Sequence, residues 1–513
     1  MAGLFINVDF CNLFADFQLK PGESSVSVPM NEDGLRQEID YYSVPGVSAI
    51  IFNLNAMRAY FDSRAWEPIW EGLEERPDHT FYYRGKKLGM EFGHSQLQMA
   101  LRCRELYRNV PDPQKFRYEY CRKKGVKMYV SMRMNDVHWT ADPDLITHCS
   151  FWREHPEFQR AFFRKDHSFW FAHCFDYACP EVYDHHLALV REYFDRFEMD
   201  GFELDWMRSP FCFRPGGASA GRTVLNRFMA DVRAIARAAE RHRGHEIPIA
   251  VRVHARPDEA LEAGFDVLSW ARDGLVDCVV PTPYFQSSDA SLPVEFWRRL
   301  LPETVMLAPG LECHLNSGYA SIPANPELDA GFASSYYEQG ADAVYLFNHM
   351  LRYTGYCGLD VDEQRKSFPI LSDRKTADAA ARRHAATMHE SIVEGRRGVP
   401  AFPPEILPGK SMPVLIHAGG GTAHRSAKVI LGFTVSADPS SLKVFLNGSE
   451  CVCMDSAAGC LLPEALRSSL VYRVPDHVLH DGLNQIDAVN TGAKPIPLAW
   501  AEIMIPDSAD RGN

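Results

Sequence analysis

The chain is predicted to be α/β: a parallel (β/α)8 TIM barrel followed by a C-terminal all-β sandwich. Three observations carry this. Eight short apolar runs alternate with helical segments over roughly the first 350 of 513 residues, the count of such a barrel. Short alternating runs without helices fill about the last 100 residues, as in a sandwich. A chain of this length also exceeds one ordinary core. The expected division is a catalytic barrel over 1–353, a helix and Pro/Gly-rich linker over 354–412, and a β-sandwich accessory domain over 413–513.

Taken in order, residues 4–10 (LFINVDF), 47–55 (VSAIIFNLN) and 126–134 (VKMYVSMRM) read as the first three strands. Between the second and third lie a long aromatic excursion, 56–98, and two helices, the latter closed by Gly125. A second polar-aromatic loop, 140–175, precedes a helix over 181–197, whose apolar residues Val182, Leu187, Val190, Tyr193 and Phe194 recur three to four apart. The fourth strand is 201–206, followed by a helix over 224–242. Strands five to eight are 247–254 (IPIAVRVH), 276–284 (VDCVVPTPY), 304–309 (TVMLAP) and 343–348 (AVYLFN), with a helix over 326–339 before the last. Residues 375–390, rich in Ala, His and Arg, read as one further helix. Asn447-Gly448 between two β-like runs marks a hairpin.

Composition bounds the partners. A formal charge of −13 argues against a general nucleic-acid binder and against docking on an anionic membrane. No apolar run approaches a membrane span. Thirteen scattered cysteines with no CxxC pair, and an N-terminus without a basic-then-apolar leader, predict a cytoplasmic protein. A homo-oligomer is left open.

Barrel enzymes place their chemistry at the C-terminal ends of the strands. The first strand offers Asp9 there, and the third Arg133, Asn135, Asp136 and His138. The fourth offers Glu203, Asp205, Trp206 and Arg208, and the fifth Arg252, His254 and Arg256. Tyr284 follows the sixth, Glu312 and His314 the seventh, Asn348 and His349 the eighth. Polar ends on nearly every strand are hard to explain by packing alone. In the segment 200–210, DGFELDWMRSP, Glu203 and Asp205 alternate and so share one face, opposite Phe202, Leu204 and Trp206. Carboxylates inside a sheet covered on both faces are costly unless paired, protonated or used. The structural alternative is a buried acid bonded to Arg208 or Arg133.

Two carboxylates from separate strands are what glycosidic cleavage needs: one protonates the leaving oxygen, the other attacks the anomeric carbon or activates water. Asp205 and Glu312 are the expected catalytic pair, with Asp9 and Asp136 as substitutes. Arg133, Arg208 and Arg252 hold the acids' charge, bind a substrate carboxylate, or make internal salt bridges. Trp139, Trp206, Trp270 and Tyr284 are candidates for stacking on a sugar, against a reading as plain packing. His138, His254, His314 and His349 lack HxH or HExxH spacing, so hydrogen bonds to sugar hydroxyls are expected, with no metal and no cofactor.

The segment 200–210 resembles the DG-I-H-L-D-Y-x-R-x-P segment of the family-10-like glycoside hydrolase barrels. Asp200, Gly201, Leu204, Asp205, the aromatic Trp206, Arg208 and Pro210 match; Glu203 stands where that family carries His. The run Pro180-Glu181-Val182 and its helix resemble the family's approach to this strand, and residues 131–138 resemble the third-strand segment of related barrels. The resemblance covers the barrel and implies a carbohydrate-active TIM barrel with Asp205 in its site. Chitinase barrels share a similar DGxDxDWE pattern, but Met207 occupies the position of its catalytic Glu. The expectation is a glycoside hydrolase acting on an oligosaccharide or glycoside. The alternatives are a metal-dependent barrel hydrolase or isomerase, and a non-catalytic sugar-binding barrel.

Overall fold

A computed structural model describes residues 3–9, 11–14, 28–88, 96–161, 169–284, 287–347, 361–454 and 461–507. The predicted runs form parallel strands β1 (Leu4–Val8), β2 (Val47–Asn53), β3 (Lys127–Arg133), β4 (Gly201–Asp205), β5 (Ile249–His254) and β6 (Cys278–Thr282). β7 is broken into Met306–Leu307 and Gly310–Leu311, and β8 is Val344–Leu346. Strands pair in chain order from β1 to β7, and β8 pairs with β1. The break in β7 completes the ring, because Met306 and Leu307 pair with β6 while Gly310 and Leu311 pair with β8. This is a closed (β/α)8 barrel.

The faces of β4 divide as its alternation dictates. Phe202, Leu204 and Trp206 join the core between strands and helices. Glu203 and Asp205 point inward, in register with Ser131 and Arg133 of β3 on one side and with Ala250 and Arg252 of β5 on the other. The helix Pro180–Arg196 feeds β4, burying Val182, Leu187, Val190, Tyr193 and Phe194. The Asp200-Gly201 pair that opens β4 is structural. The Asp200 carboxylate accepts a hydrogen bond from the Met128 amide (2.9 Å), and a Cβ on Gly201 would lie 2.3 Å from the Tyr129 ring.

Two antiparallel sheets follow the barrel. One orders Arg382–Ala385, Ile496–Ile505, Lys428–Phe433, Ser468–Arg473 and Val452–Met454; the other is built on Ser411–His417, Leu483–Asn490 and Leu442–Leu446. Val414, Ile416, Val444 and Ile486 of the second sheet meet Val429, Leu431, Ala501 and Ile503 of the first in one core, so the sheets form a sandwich. Asn447 and Gly448 both have positive φ (49° and 81°), as the hairpin they close requires.

The single helix expected over 375–390 needs correction. The helix is Arg374–Ala379, and the chain then becomes the strand Arg382–Ala385, paired with Ile496–Ile505. Tertiary partners override the helical composition here. Arg383 donates to Glu502 at 3.1 and 2.8 Å, Trp500 donates to the same carboxylate at 2.9 Å, and all are buried. Gly331 of the barrel helix Pro326–Glu338 permits this close approach, since a Cβ there would sit 2.1 Å from the Arg383 carbonyl oxygen. Among the described residues the cysteines are free thiols, and no helix is long and apolar enough to cross a membrane.

Candidate active site

Asp205 ends β4 inside the barrel with its side chain 1% exposed. Its Oδ1 accepts from Arg252 Nε at 2.9 Å and from the backbone amides of Met207 and Arg208 at 2.9 and 3.2 Å. Its Oδ2 accepts from Arg252 Nη2 at 3.3 Å. The sequence offers Arg133, Arg208 and Arg252 as guanidiniums for the acids; the structure pairs Asp205 with Arg252, the residue in register on β5. Arg252 is itself fully buried, donates to Thr282 Oγ1 at 3.1 Å and lies 3.5 Å over the Phe347 ring. Burial works against its charge, but the Asp205 and Glu312 carboxylates hold its proton more tightly. The acids of β4 and β7 therefore act on one guanidinium. Glu312 is buried, and its main chain is clamped by Ser288, whose Oγ accepts from Glu312 N (2.9 Å) and donates to Glu312 O (3.1 Å).

One pleat deeper, Glu203 Oε1 accepts from Asn7 Nδ2 (3.0 Å) and Ser131 Oγ (2.7 Å). Its other oxygen has no partner of good geometry among the described residues, and the buried Tyr345 hydroxyl lies beside it. Burial, with the Asp205 charge added, pushes the Glu203 carboxyl up to about 7 against the opposing pull of Ser131, Tyr345 and Arg252. A carboxyl raised in the folded state and ordinary in the unfolded state makes folding take up a proton. Stability from this group is therefore full below about pH 4.5 and lost as pH rises through about 7. Glu203→Gln, a neutral isostere, is expected to match the native protein near pH 4.5 and to exceed it at pH 8 by on the order of 3 kcal/mol. Thermal unfolding midpoints of both proteins from pH 5 to 9 test this; parallel pH profiles would sink it.

Above this layer runs a chain of charges. Arg133 Nη2 donates to Asp9 (2.5 Å) and its Nη1 to Asp136 (2.7 Å). Asp136 contacts His138 Nδ1, and His138 Nε2 lies 2.8 Å from Arg208 Nη2. Burial would raise the Asp136 carboxyl, but His138, Arg133 and Arg208 hold it well below the usual carboxylate range. The residues after His138 and Arg208, Trp139 and Ser209, both adopt left-handed backbone conformations (φ 50° and 61°), strain that is held where the pair meets. Trp139 is 53% exposed and its ring lies 5.4 Å from that of His138, which makes it the open aromatic face at the rim.

Several expected site residues stand elsewhere. Asn135 is consumed by backbone, accepting from Phe175 N (2.9 Å) and donating to the carbonyls of Phe175 and Phe211 (3.0 Å each), so it ties two loops together and has no amide group left for a substrate. Trp206 and Trp270 are fully buried outside the barrel wall, where Trp206 packs on Tyr177, Phe228 and Phe265; neither can stack on a sugar. His254 is buried against Phe265, and burial lowers it to about 4, so it stays neutral. His314 sits beside Cys313 (3.2 Å). Tyr284 is half-buried at the rim, its ring edge-on to Phe171. Asn348 and His349 lie outside the described residues. Among the described residues no three His, Cys, Asp or Glu side chains converge as a metal site needs.

Sequence reasoning missed what residues 387–401 contribute. His389 bridges Glu259 (2.8 Å) and Asp289 (2.7 Å), and the two acids, overcoming burial, raise it to about 9. Beside it, burial raises the Glu390 carboxyl, whose charge reaches Tyr284. No local pattern marks a linker as returning to the rim.

No protein-family model matches the chain, and no curated protein matches it. Solved structures similar to it include an α-galactosidase from Thermus thermophilus, at 12% identity and a TM-score of 0.35 over 73% of this chain; the chain spans 62% of that enzyme. The PgaB (BpsB) glycoside hydrolase domain from Bordetella bronchiseptica is similar at 11% identity and a TM-score of 0.37, over 72% of this chain and 99% of that one. A family GH18 chitinase from Chromobacterium violaceum is similar at 10% identity and a TM-score of 0.35, over 99% and 89% of the two chains.

Proposed function

We propose that the protein is a glycoside hydrolase of the family-10-like barrel type, cleaving a glycosidic bond with Asp205 and Glu312. The observation that supports this most is the buried Asp205–Arg252 pair at the C-terminal end of a closed barrel, with Glu312 near enough for its charge to act on the same guanidinium. Asp205 only accepts hydrogen bonds, from one guanidinium and two backbone amides, which suits an anion that attacks or stabilises the positive anomeric carbon. Proton donation then falls to Glu312. The exposed face of Trp139 offers a stacking surface, with His138 and Arg208 beside it as hydrogen-bonding groups. Since both acids are buried, a saccharide reaches them by displacing rim side chains.

Nitrophenyl and methylumbelliferyl glycosides, together with natural oligosaccharides, test the reading, with the first-formed anomer followed by NMR. Release of one anomer in excess is the expected result and reports retention or inversion. The burial of both acids favours a second reading, a non-catalytic sugar-binding barrel. Saccharide binding without turnover of any glycoside would replace the first reading with the second.

A further inference from the structure

A cavity of about 480 Å3 opens between the segment after β5 and residues 387–401. Arg256 lines it and follows His254 of β5 by two residues, so the cavity lies at the same end of the barrel as the Asp205–Arg252 pair. Its lining contains one carboxylate, Glu259, and that one is already engaged, by His389 at 2.8 Å and Arg396 at 3.7 Å. Arg396 is further matched by Asp258 (2.7 Å) and Glu262 (2.6 Å), and His389 by Asp289.

Two guanidiniums remain. Arg256 and Arg397 line the cavity, and neither has an acid partner among the described residues. Arg256 Nη2 donates to Ser291 Oγ at 3.0 Å, and its Nε is buried with no hydrogen-bond partner. Ser291 is oriented in turn by Asp289, at 2.7 Å. A planar guanidinium with donors to spare fits a carboxylate. In a chain of formal charge −13, acids are in excess. Arg256 and Arg397 thus offer the cleft donors that no acid of the described residues takes up.

We propose that this cleft binds the carboxylate of an acidic sugar unit, so that the substrate is a uronic-acid-bearing saccharide; the step from binding to substrate rests on the glycoside hydrolase reading. The test is calorimetric binding of the full chain to a tetragalacturonide, to a neutral tetrasaccharide of glucose and to inorganic phosphate, at low salt. The acidic saccharide is expected to bind at least about tenfold tighter than the neutral one. Arg256→Gln and Arg397→Gln are each expected to weaken acidic binding by about tenfold and neutral binding far less. Arg397 is exposed, so its variant keeps the test open if the Arg256 variant misfolds. Equal affinity for the two saccharides, an unchanged acidic affinity in Arg397→Gln, or phosphate binding as tightly as the tetragalacturonide would overturn the proposal. Arginine-dependent acidic binding with no turnover of any glycoside would uphold the cleft and overturn the hydrolase reading. Turnover of neutral glycosides with equal affinity for both saccharides would do the reverse.

Discussion

Glu312→Gln is expected to lower kcat/KM by about 10²–10⁴ on glycosides with alkyl leaving groups, and far less on dinitrophenyl glycosides. The difference follows from the role given to Glu312. An alkoxide cannot depart without a proton, whereas dinitrophenolate departs as an anion, so removing the proton donor penalises only the first. The substitution keeps the shape of the side chain, and Ser288 holds the main chain at 2.9 and 3.1 Å without help from the carboxyl. Asp205→Asn is expected to lose rate on both kinds of leaving group, because the charge that meets the anomeric carbon is gone in either case. Initial rates on the two substrate series measure this. An equal loss on both by Glu312→Gln would remove Glu312 from proton transfer.

The second large effect is on stability. Arg252→Met is expected to destabilise the barrel by about 3–5 kcal/mol, because it leaves the Asp205 charge buried without its partner. Arg252 is wholly enclosed, and it supplies two of the hydrogen bonds to Asp205 and the one to Thr282. A double-mutant cycle isolates the cause by adding Asp205→Leu to Arg252→Met: with both charges gone, much of the loss is expected to return. Denaturant unfolding of the four proteins gives the coupling. A single Arg252→Met variant as stable as the native protein would mean that the pair is not closed off from water as described.

The strands were legible because each is an apolar run enclosed between the barrel interior and a layer of helices, and such runs stand out from neighbouring loops. The inward face of Glu203 and Asp205 was legible for an equally local reason, the two-residue period of a strand. Which of the three candidate arginines, Arg133, Arg208 and Arg252, meets Asp205 was not. Arg252 lies 47 residues further on, and only the register of β4 against β5 brings it level with Asp205. Asn135 reads as a polar strand-end residue until the backbone groups of Phe175 and Phe211 are seen to use its amide.

The sequence by itself determined the eight-strand barrel, the sandwich behind it and the common face of the β4 acids, since periodicity and apolar content depend on residues close in the chain. Only the tertiary structure decided that Arg382–Ala385 is a strand, that Trp206 is core while Trp139 is rim, and that residues 387–401 return to place His389 and Glu390 beside the barrel mouth. Those outcomes depend on which distant groups satisfy a buried charge or cover an apolar face, and that choice is made when the ring of strands closes.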